Sequence, residues 1–530
     1  MELSPSAHID TFSRNHLPPP EQWPELLFSL PEVRYPPRLN CATALLDETI
    51  AAHGGDRPCL LAPGASPWSY ADLLAAANRV AHLLTDELGI VPGNRVLLRG
   101  PNNPWLVACW FGVLKAGAVV VATMPLLRSG ELRTVHEISQ VDLALCDTRF
   151  LDDLEAADLG VPVLAYGDAG FEDRLAGLPA TYDDVATAAD DVALLAFTSG
   201  TTGRPKATMH FHRDVLANAD TFSRHVLRPT ADDVFTGTPP LAFTFGLGGL
   251  VVFPLRVGAS TLLLERATPV ELAGHIAEHR VTVCFTAPTA YKVMVGHAES
   301  LRTLRRAVSA GEHLPAATWE AFHEATGVRI IDGIGSTEML HIFISAADDD
   351  IRVGSTGRPV PGYVATILDE SGAEVGPDVP GRLAVKGPTG CRYLADDRQL
   401  TYVQNGWNLT GDTFARDEDG YFWYHARSDD MIVSSGYNIA APEVEEALLR
   451  HQAVAECAVI GVPDEDRGTI VKAFVVPVEG ADRTPELVAG LQTFVKEQIA
   501  PYKYPRALEF VDELPRTSTG KLQRFRLRES

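Results

Sequence analysis

Thr198-Ser199-Gly200-Thr201-Thr202-Gly203-Arg204-Pro205-Lys206 is the stretch around which the chain is organised. It follows an apolar run, Val192-Ala193-Leu194-Leu195-Ala196-Phe197, which reads as a buried strand. Two glycines let the backbone turn tightly and bring its N–H groups close to a ligand. The hydroxyls add donors, and Arg204 with Lys206 adds positive charge. Together they form a cradle for phosphate at a strand end. No Gly-Lys-Ser/Thr closes the stretch, so a kinase-like or ATPase-like mechanism is not implied.

The same logic recurs downstream. Pro239 to Gly249 sets Phe243, Thr244 and Phe245 beside Gly246, Gly248 and Gly249, which fits the wall of an apolar pocket. Phe285-Thr286-Ala287 and Ser309-Ala310-Gly311-Glu312 are apolar strands running into turns, the place where open α/β sheets form a ligand crevice. In Ile330-Ile331-Asp332-Gly333-Ile334-Gly335-Ser336-Thr337-Glu338-Met339-Leu340-His341 a strand is followed by glycines, hydroxyls and a carboxylate. Glu338 suits magnesium beside phosphate oxygens, since that ion prefers oxygen ligands. His341 precedes Ile342-Phe343-Ile344, which fits either a pocket residue or a core histidine. Leu409-Thr410-Gly411-Asp412 reads as a strand end presenting a carboxylate to a ribose diol, with Arg427 as a second contact.

The surrounding pattern alternates helix and strand and predicts an α/β body with largely parallel strands. Ala42 to Ala52 has helical spacing, Ser69 caps a second helix, Arg95 to Leu98 is a strand, and 142–146 and 162–165 are two more short apolar runs. Residues 1 to about 40, rich in proline and aromatics, read as an extended arm. Leu106 to Thr123 is the most membrane-like stretch, but Lys115 at its centre favours a buried helix followed by a strand. His210 and His212, two apart on the next strand, read as hydrogen-bonded residues more readily than as a metal pair. Near Asp429 the pattern restarts as a compact unit. Pro442 opens a helix, Cys457–Gly461 and Ala473–Pro477 are strands, and Thr484-Pro485 starts a helix with Leu487, Leu491, Phe494, Val495 and Ile499 on one face. Pro515 to Lys521 reads as a flexible basic loop.

The bulk numbers agree. The chain has 530 residues, 46% of them hydrophobic, ample for a large core. Its formal net charge of −24 lacks the basic surface that nucleic-acid binding needs, so an anion would be held by a local cationic site. Seven scattered cysteines with no C-x-x-C pairing fit reduced thiols in a cytoplasmic protein. No secretory signal is read at the start.

Five stretches, 198–206, 239–249, 332–341, 409–413 with 427–436, and 515–521, resemble the adenylate-forming enzymes, in that superfamily's order. Gly335 to Phe343 and Arg427 to Met431 are similar to benzoate-CoA ligases in particular, and the arm at 10–23 resembles the 2-aminobenzoate branch. The resemblance implies a large multi-subdomain N-terminal α/β domain (1–428) and a small mobile C-terminal α+β domain (429–530). It implies ATP, Mg2+ and coenzyme A. An aromatic carboxylate attacks the α-phosphate to give an acyl-adenylate and pyrophosphate, and the CoA thiol then displaces AMP. It assigns Thr198, Ser199, Gly200, Thr201, Thr202 and Lys206 to the phosphates, and Thr337 and Glu338 to the α-phosphate and magnesium. Gly311, Glu312, Asp332 and Gly333 would border adenine, and Asp412 and Arg427 the ribose. Lys521 would bridge carboxylate and α-phosphate, where negative charge builds. Asp429 matches the hinge and Gly436 the pantetheine tunnel. Phe243, Thr244, Phe245, Ala287, Gly335 and His341 would surround the acid.

Where that branch often has Ala-Tyr, this chain has Thr244-Phe245. The Thr244 hydroxyl can accept a hydrogen bond from an ortho amino group, which favours 2-aminobenzoate over benzoate or salicylate. An enzyme loading a free carrier protein stays open, and no attached carrier domain is expected beyond Lys521. A nucleotide-binding regulator is disfavoured because binding alone would need neither Lys521 nor Glu338. A homodimer is left open; neither nucleic acid nor membrane is expected as a partner.

Overall fold

The structure, a computed structural model, describes all residues except 1–2, 199–204, 428–430, 435–436, 465–467, 500, 517–521 and 529–530. Two mainly parallel sheets carry the large N-terminal part. The first, six-stranded, runs Val163–Tyr166, Leu143–Asp147, Arg95–Arg99, Val119–Thr123, Val192–Thr198, Lys206–Phe211. All its pairings are parallel except the last, which is antiparallel and sets Thr198 opposite Lys206. The stretch from Thr198 to Lys206 therefore connects the last two strands.

The second sheet is nine-stranded. Its parallel centre is Ile330–Gly335, Arg306–Ser309, Val283–Thr286, Val234–Gly237, Ser260–Leu262 and Pro58–Leu61. Antiparallel strands Ile342–Ser345 and Arg358–Pro359 extend one edge, and Trp68–Ser69 the other. One apolar core, including Leu98, Phe111, Leu194, Phe235, Phe285 and Ile331, joins both sheets. Helices Tyr70–His82 and Pro104–Lys115 belong to that core. Ser69 caps the first in a reciprocal capping box with Asp72. The membrane-like stretch is thus a buried helix and strand, as the charge at Lys115 implied. Lys115 is fully buried, its ammonium 2.7 Å from Asp47 and 2.8 Å from Asp184. Among the described residues no helix is long and apolar enough to cross a membrane.

A third, antiparallel sheet contains Gly381–Lys386, Trp407–Arg416 and Phe422–Arg427. Here the expectation for Asp412 is corrected. Asp412 does not end a strand but sits inside the ten-residue strand Trp407–Arg416, paired with Arg427 on the next. Gly411, at φ +77°, lets the backbone kink within the ladder instead of leaving it.

The N-terminal arm is irregular, with one short helix, Phe12–Asn15, and it is pinned to the body. Ser6 Oγ and the Ala7 N–H both donate to the Asp191 carboxylate, and Asp10 pairs with Arg95. The C-terminal part has its own core, in which Ile432, Val444, Leu448, Val459, Val475, Leu491 and Val495 pack together. Its strands Val454–Asp464, Gly468–Pro477 and Ala507–Phe510 form a sheet flanked by helices Ala441–Leu449 and Pro485–Gln498. All seven cysteines are free thiols.

Candidate active site

Some of the expected residues meet where the last two strands of the first sheet approach the Glu338 turn. Lys206 opens its strand beside Thr198. Its ammonium donates to the Tyr393 hydroxyl at 2.7 Å and lies 3.5 Å from Glu338 Oε1. Tyr393 in turn donates to Glu338 Oε1 at 2.5 Å. Tyr402 closes the group, with its hydroxyl 3.2 Å from Ser336 Oγ. Thr198, Lys206, Thr337 and Glu338 thus meet, although 199–204 lie outside the described residues.

The backbone around Glu338 is fixed from several directions. The His210 Nε2–H donates to the Thr337 carbonyl at 2.8 Å, and Thr389 Oγ1 donates to the Met339 carbonyl at 2.8 Å. Leu340 takes φ +70°, a left-handed conformation that turns the chain back toward the sheet. His210 is fully buried, as is His212, whose Nδ1 accepts from the Cys41 N–H. Neither belongs to a group of potential metal ligands among the described residues.

Asp332 and Gly333 sit inside the strand Ile330–Gly335, Asp332 paired with Ser309 at the end of the neighbouring strand, and Gly311 lies in the turn after Ser309 at φ +92°. Asp332 as a residue is partly exposed, yet its Oδ1 is shut off from solvent without a hydrogen-bond partner among the described residues. Burial pushes its carboxyl up to about 8, against a smaller opposing effect of the Gly333 N–H. Asp412 is buried on the third sheet. Glu312 lies 3.8 Å from Arg516 of the C-terminal part, which also pairs with Glu456 at 2.8 Å. The side chain of Arg427, and Asp429, Gly436 and Lys521 entirely, lie outside the described residues.

The residues expected around the acid divide into two groups. Phe243 and Thr244 line a small cavity with Trp110, Val120, Leu194 and Leu241. Phe245 instead turns toward His341, ring centroids 5.5 Å apart. Phe253 at 4.6 Å, Phe222 at 5.5 Å and Phe285 at 6.3 Å complete a cage around the imidazole. Among the described residues neither His341 nitrogen has a well-formed hydrogen bond, and burial lowers its pKa to about 3. His341 is therefore a neutral, polar ring inside an aromatic wall. Ala287 caps the helix Pro288–Met294, two residues past Phe285. The glycine-rich stretch is helical: Thr244–Leu247 continues into Gly248–Val252. Glycine weakens an isolated helix, but here it permits contact. A β-carbon at Gly249 would stand 2.6 Å from Phe285 Cδ1.

Sequence reasoning missed Tyr393, Tyr402, Phe222 and Phe253. Only Tyr393 stood in a suggestive setting, Gly390-Cys391-Arg392-Tyr393, and nothing there pointed to Glu338.

Residues 46–393 match the family described as AMP-binding enzyme, and residues 443–521 match AMP-binding enzyme C-terminal domain. A benzoate–CoA ligase of Thauera aromatica is 36% identical over 515 residues, covering 94% of this chain and 97% of that protein. A 3-hydroxybenzoate–CoA ligase of an Aromatoleum species is 34% identical, covering 93% and 97%. Among solved structures, the anthranilate CoA ligase AuaEII in complex with anthranoyl-AMP superposes with a TM-score of 0.88 at 34% identity, covering 93% of this chain and 98% of that one.

Proposed function

The chain belongs to the AMP-binding enzyme family and is an AMP-forming aryl-CoA ligase, and from that premise we propose that the acid it activates is 2-aminobenzoate. The observation that carries the choice is Thr244. Among the described residues it is the one hydroxyl-bearing residue lining a cavity otherwise walled by Leu, Val, Ala, Phe and Trp. An ortho amino group donating to that oxygen would satisfy both partners, whereas benzoate would leave the hydroxyl unpaired.

In this reading each residue acts on charge. Thr198, Ser199, Gly200, Thr201, Thr202 and Lys206 hold the β- and γ-phosphates of ATP, and Thr337 lies by the α-phosphate. Glu338 has the chemistry to hold a magnesium ion. It is a buried carboxylate whose partners among the described residues, Tyr393 and Lys206, both engage Oε1. Bound there, the ion would supply further charge neutralisation on the phosphates. Gly311, Glu312, Asp332 and Gly333 border adenine. Asp412 and Arg427, neighbours in one ladder, take the ribose. Phe243, Phe245, Ala287, Gly335 and His341 shape the aryl site, and a neutral His341 adds no charge to repel or attract the ring.

Adenylation needs positive charge where the carboxylate meets the α-phosphate, because phosphoryl-type chemistry depends on neutralisation and positioning more than on covalent help. Lys521 supplies it from the mobile C-terminal domain, which we bound at 429–530. After adenylation, rotation at Asp429 withdraws Lys521 and brings the pantetheine passage beside Gly436 into place.

The test is kcat/KM over 2-aminobenzoate, benzoate, salicylate and 3-hydroxybenzoate, scored as CoA-dependent AMP release for wild type and Thr244→Ala. The expected result is a preference for 2-aminobenzoate that falls about tenfold in the variant while benzoate changes little. Equal or better turnover of benzoate or salicylate by the wild type overturns the choice of acid.

A further inference from the structure

The phenol of Tyr393 stands between the two charged side chains of the phosphate site, and it comes from a distant part of the chain. Lys206 carries only donors and an ionised Glu338 only acceptors. The single Tyr393 proton must therefore point to Glu338 Oε1, 2.5 Å away, and its lone pair must accept from Lys206 at 2.7 Å. No other assignment satisfies all three groups.

The phenol is itself held firmly. Tyr393 is buried, with its ring 5.8 Å from that of Tyr402 and 4.6 Å from the Lys206 ammonium. Its N–H donates to Gln399 Oε1 at 2.9 Å, and Gln399 in turn donates to the Gln22 carbonyl of the N-terminal arm at 2.9 Å. On either side, the Met209 N–H bonds the Arg392 carbonyl at 2.8 Å and the Leu394 N–H bonds the Ala207 carbonyl at 2.9 Å. The residue thus rides on the same strand edge that presents Lys206.

We propose that Tyr393 is a positioning residue for adenylation, orienting the Glu338 carboxylate toward a metal ion on ATP and separating Glu338 from Lys206. Without the hydroxyl, a cation and a carboxylate 3.5 Å apart would close into a direct pair. Each would then be neutralised by the other and less available to phosphate or metal. With the hydroxyl present, Oε1 is tied by a neutral donor and Lys206 is tied by a neutral acceptor. Both charges stay directed at the ligand. This rests on the reading that Lys206 and Glu338 face the ATP phosphates.

Tyr393→Phe removes one oxygen and keeps the ring that packs on Tyr402. Titration calorimetry of ATP with and without Mg2+, and the Mg2+ dependence of acid-driven ATP–pyrophosphate exchange, are measured on wild type, Tyr393→Phe, Glu338→Gln and the double variant. Supporting residues of metal ligands commonly contribute 10- to 100-fold. The expected result is a weakening of Mg2+-dependent ATP binding, and a rise in the half-activating Mg2+ concentration, of about tenfold or more for Tyr393→Phe. KM for the aryl acid is unchanged. In the Glu338→Gln background the further loss in ATP affinity is small, because the partner being oriented is gone. Wild-type Mg2+ dependence in Tyr393→Phe overturns the proposal, as does a loss shared equally with aryl-acid binding. If Glu338→Gln and Lys206→Met also leave ATP binding and exchange intact, the phosphate-site reading itself fails. If those two fall and Tyr393→Phe does not, only the role of Tyr393 fails.

Discussion

Gly248 lies against the imidazole of His341 so closely that a β-carbon on Gly248 would stand 2.4 Å from His341 Cδ2 and 2.8 Å from Nε2. The helix backbone is thus one wall of the ring cage, and glycine is there because any side chain would occupy the space of the imidazole.

Gly248→Ala should therefore act on the aryl site through His341. The ring is hemmed in by Phe222, Phe245 and Phe253, so the strain is shared with the helix. The expected cost is about 1–3 kcal/mol of stability, in line with overpacking elsewhere. KM for the aryl acid should rise while ATP binding is spared. Denaturant unfolding and a KM series check it; an unchanged acid KM contradicts the cage.

Stability should fall on mild acidification. His210, His212 and His341 are buried and neutral, each lowered to about 3 from an ordinary 6.5, with desolvation the leading cause. Between those values the unfolded chain binds protons that the folded chain does not, so the stabilisation is present above about 6.5 and is lost as pH falls toward 3. Each group adds at most about 1.4 kcal/mol per pH unit to that slope. His212→Asn keeps an acceptor for the Cys41 N–H without a titrating ring, and should flatten the fall between pH 6.5 and 5. Melting temperatures across that range measure it, and an identical slope in the variant argues against a neutral buried His212.

Lys115 offers a test remote from the chemistry. Its fully buried ammonium joins Asp47 to Asp184, so Lys115→Met leaves two carboxylates near each other without their cation. Removing one partner of a buried pair costs about 3–5 kcal/mol. Urea unfolding should show a loss of that size with acid selectivity unaltered in the folded fraction. A neutral outcome would mean that the carboxylates find water instead.

What could be read from the sequence was whatever a single segment carries. The apolar run at 192–197, the Ser69 cap, the buried helix at 104–115 and the glycine–hydroxyl–carboxylate pattern ending in Glu338 each announce themselves through local composition. Lys206 and Tyr393 do not announce each other, being 187 positions apart and joined only by the pairing of 392–394 with the strand Lys206–Phe211. Phe222 and Phe253 look like ordinary core residues until the fold brings both to His341. Asp412 was misplaced at a strand end because Gly411 resembles a turn glycine, whereas its positive φ is absorbed as a kink inside the ladder. Pairwise closeness across elements is a property of topology, and no periodicity encodes it.

Gly436→Leu should separate the two half-reactions. The residue lies outside those described, and its place beside the pantetheine passage is part of the proposed function. A bulky side chain there obstructs the thiol route without touching ATP. Acid-dependent ATP–pyrophosphate exchange should stay near wild type while aryl-CoA formation drops at least tenfold. Equal loss of both steps removes the assignment.

The account depends most on a cation delivered by the C-terminal domain to an ATP already held by Lys206 and Glu338. ATP–pyrophosphate exchange driven by 2-aminobenzoate, compared between wild type and Lys521→Gln, measures that directly, with CoA transfer from preformed aryl-adenylate as the parallel reading. Exchange should fall by two orders of magnitude or more, the range seen when a charge-stabilising donor is removed, while transfer from the adenylate persists. Exchange at the wild-type rate in Lys521→Gln would contradict the account.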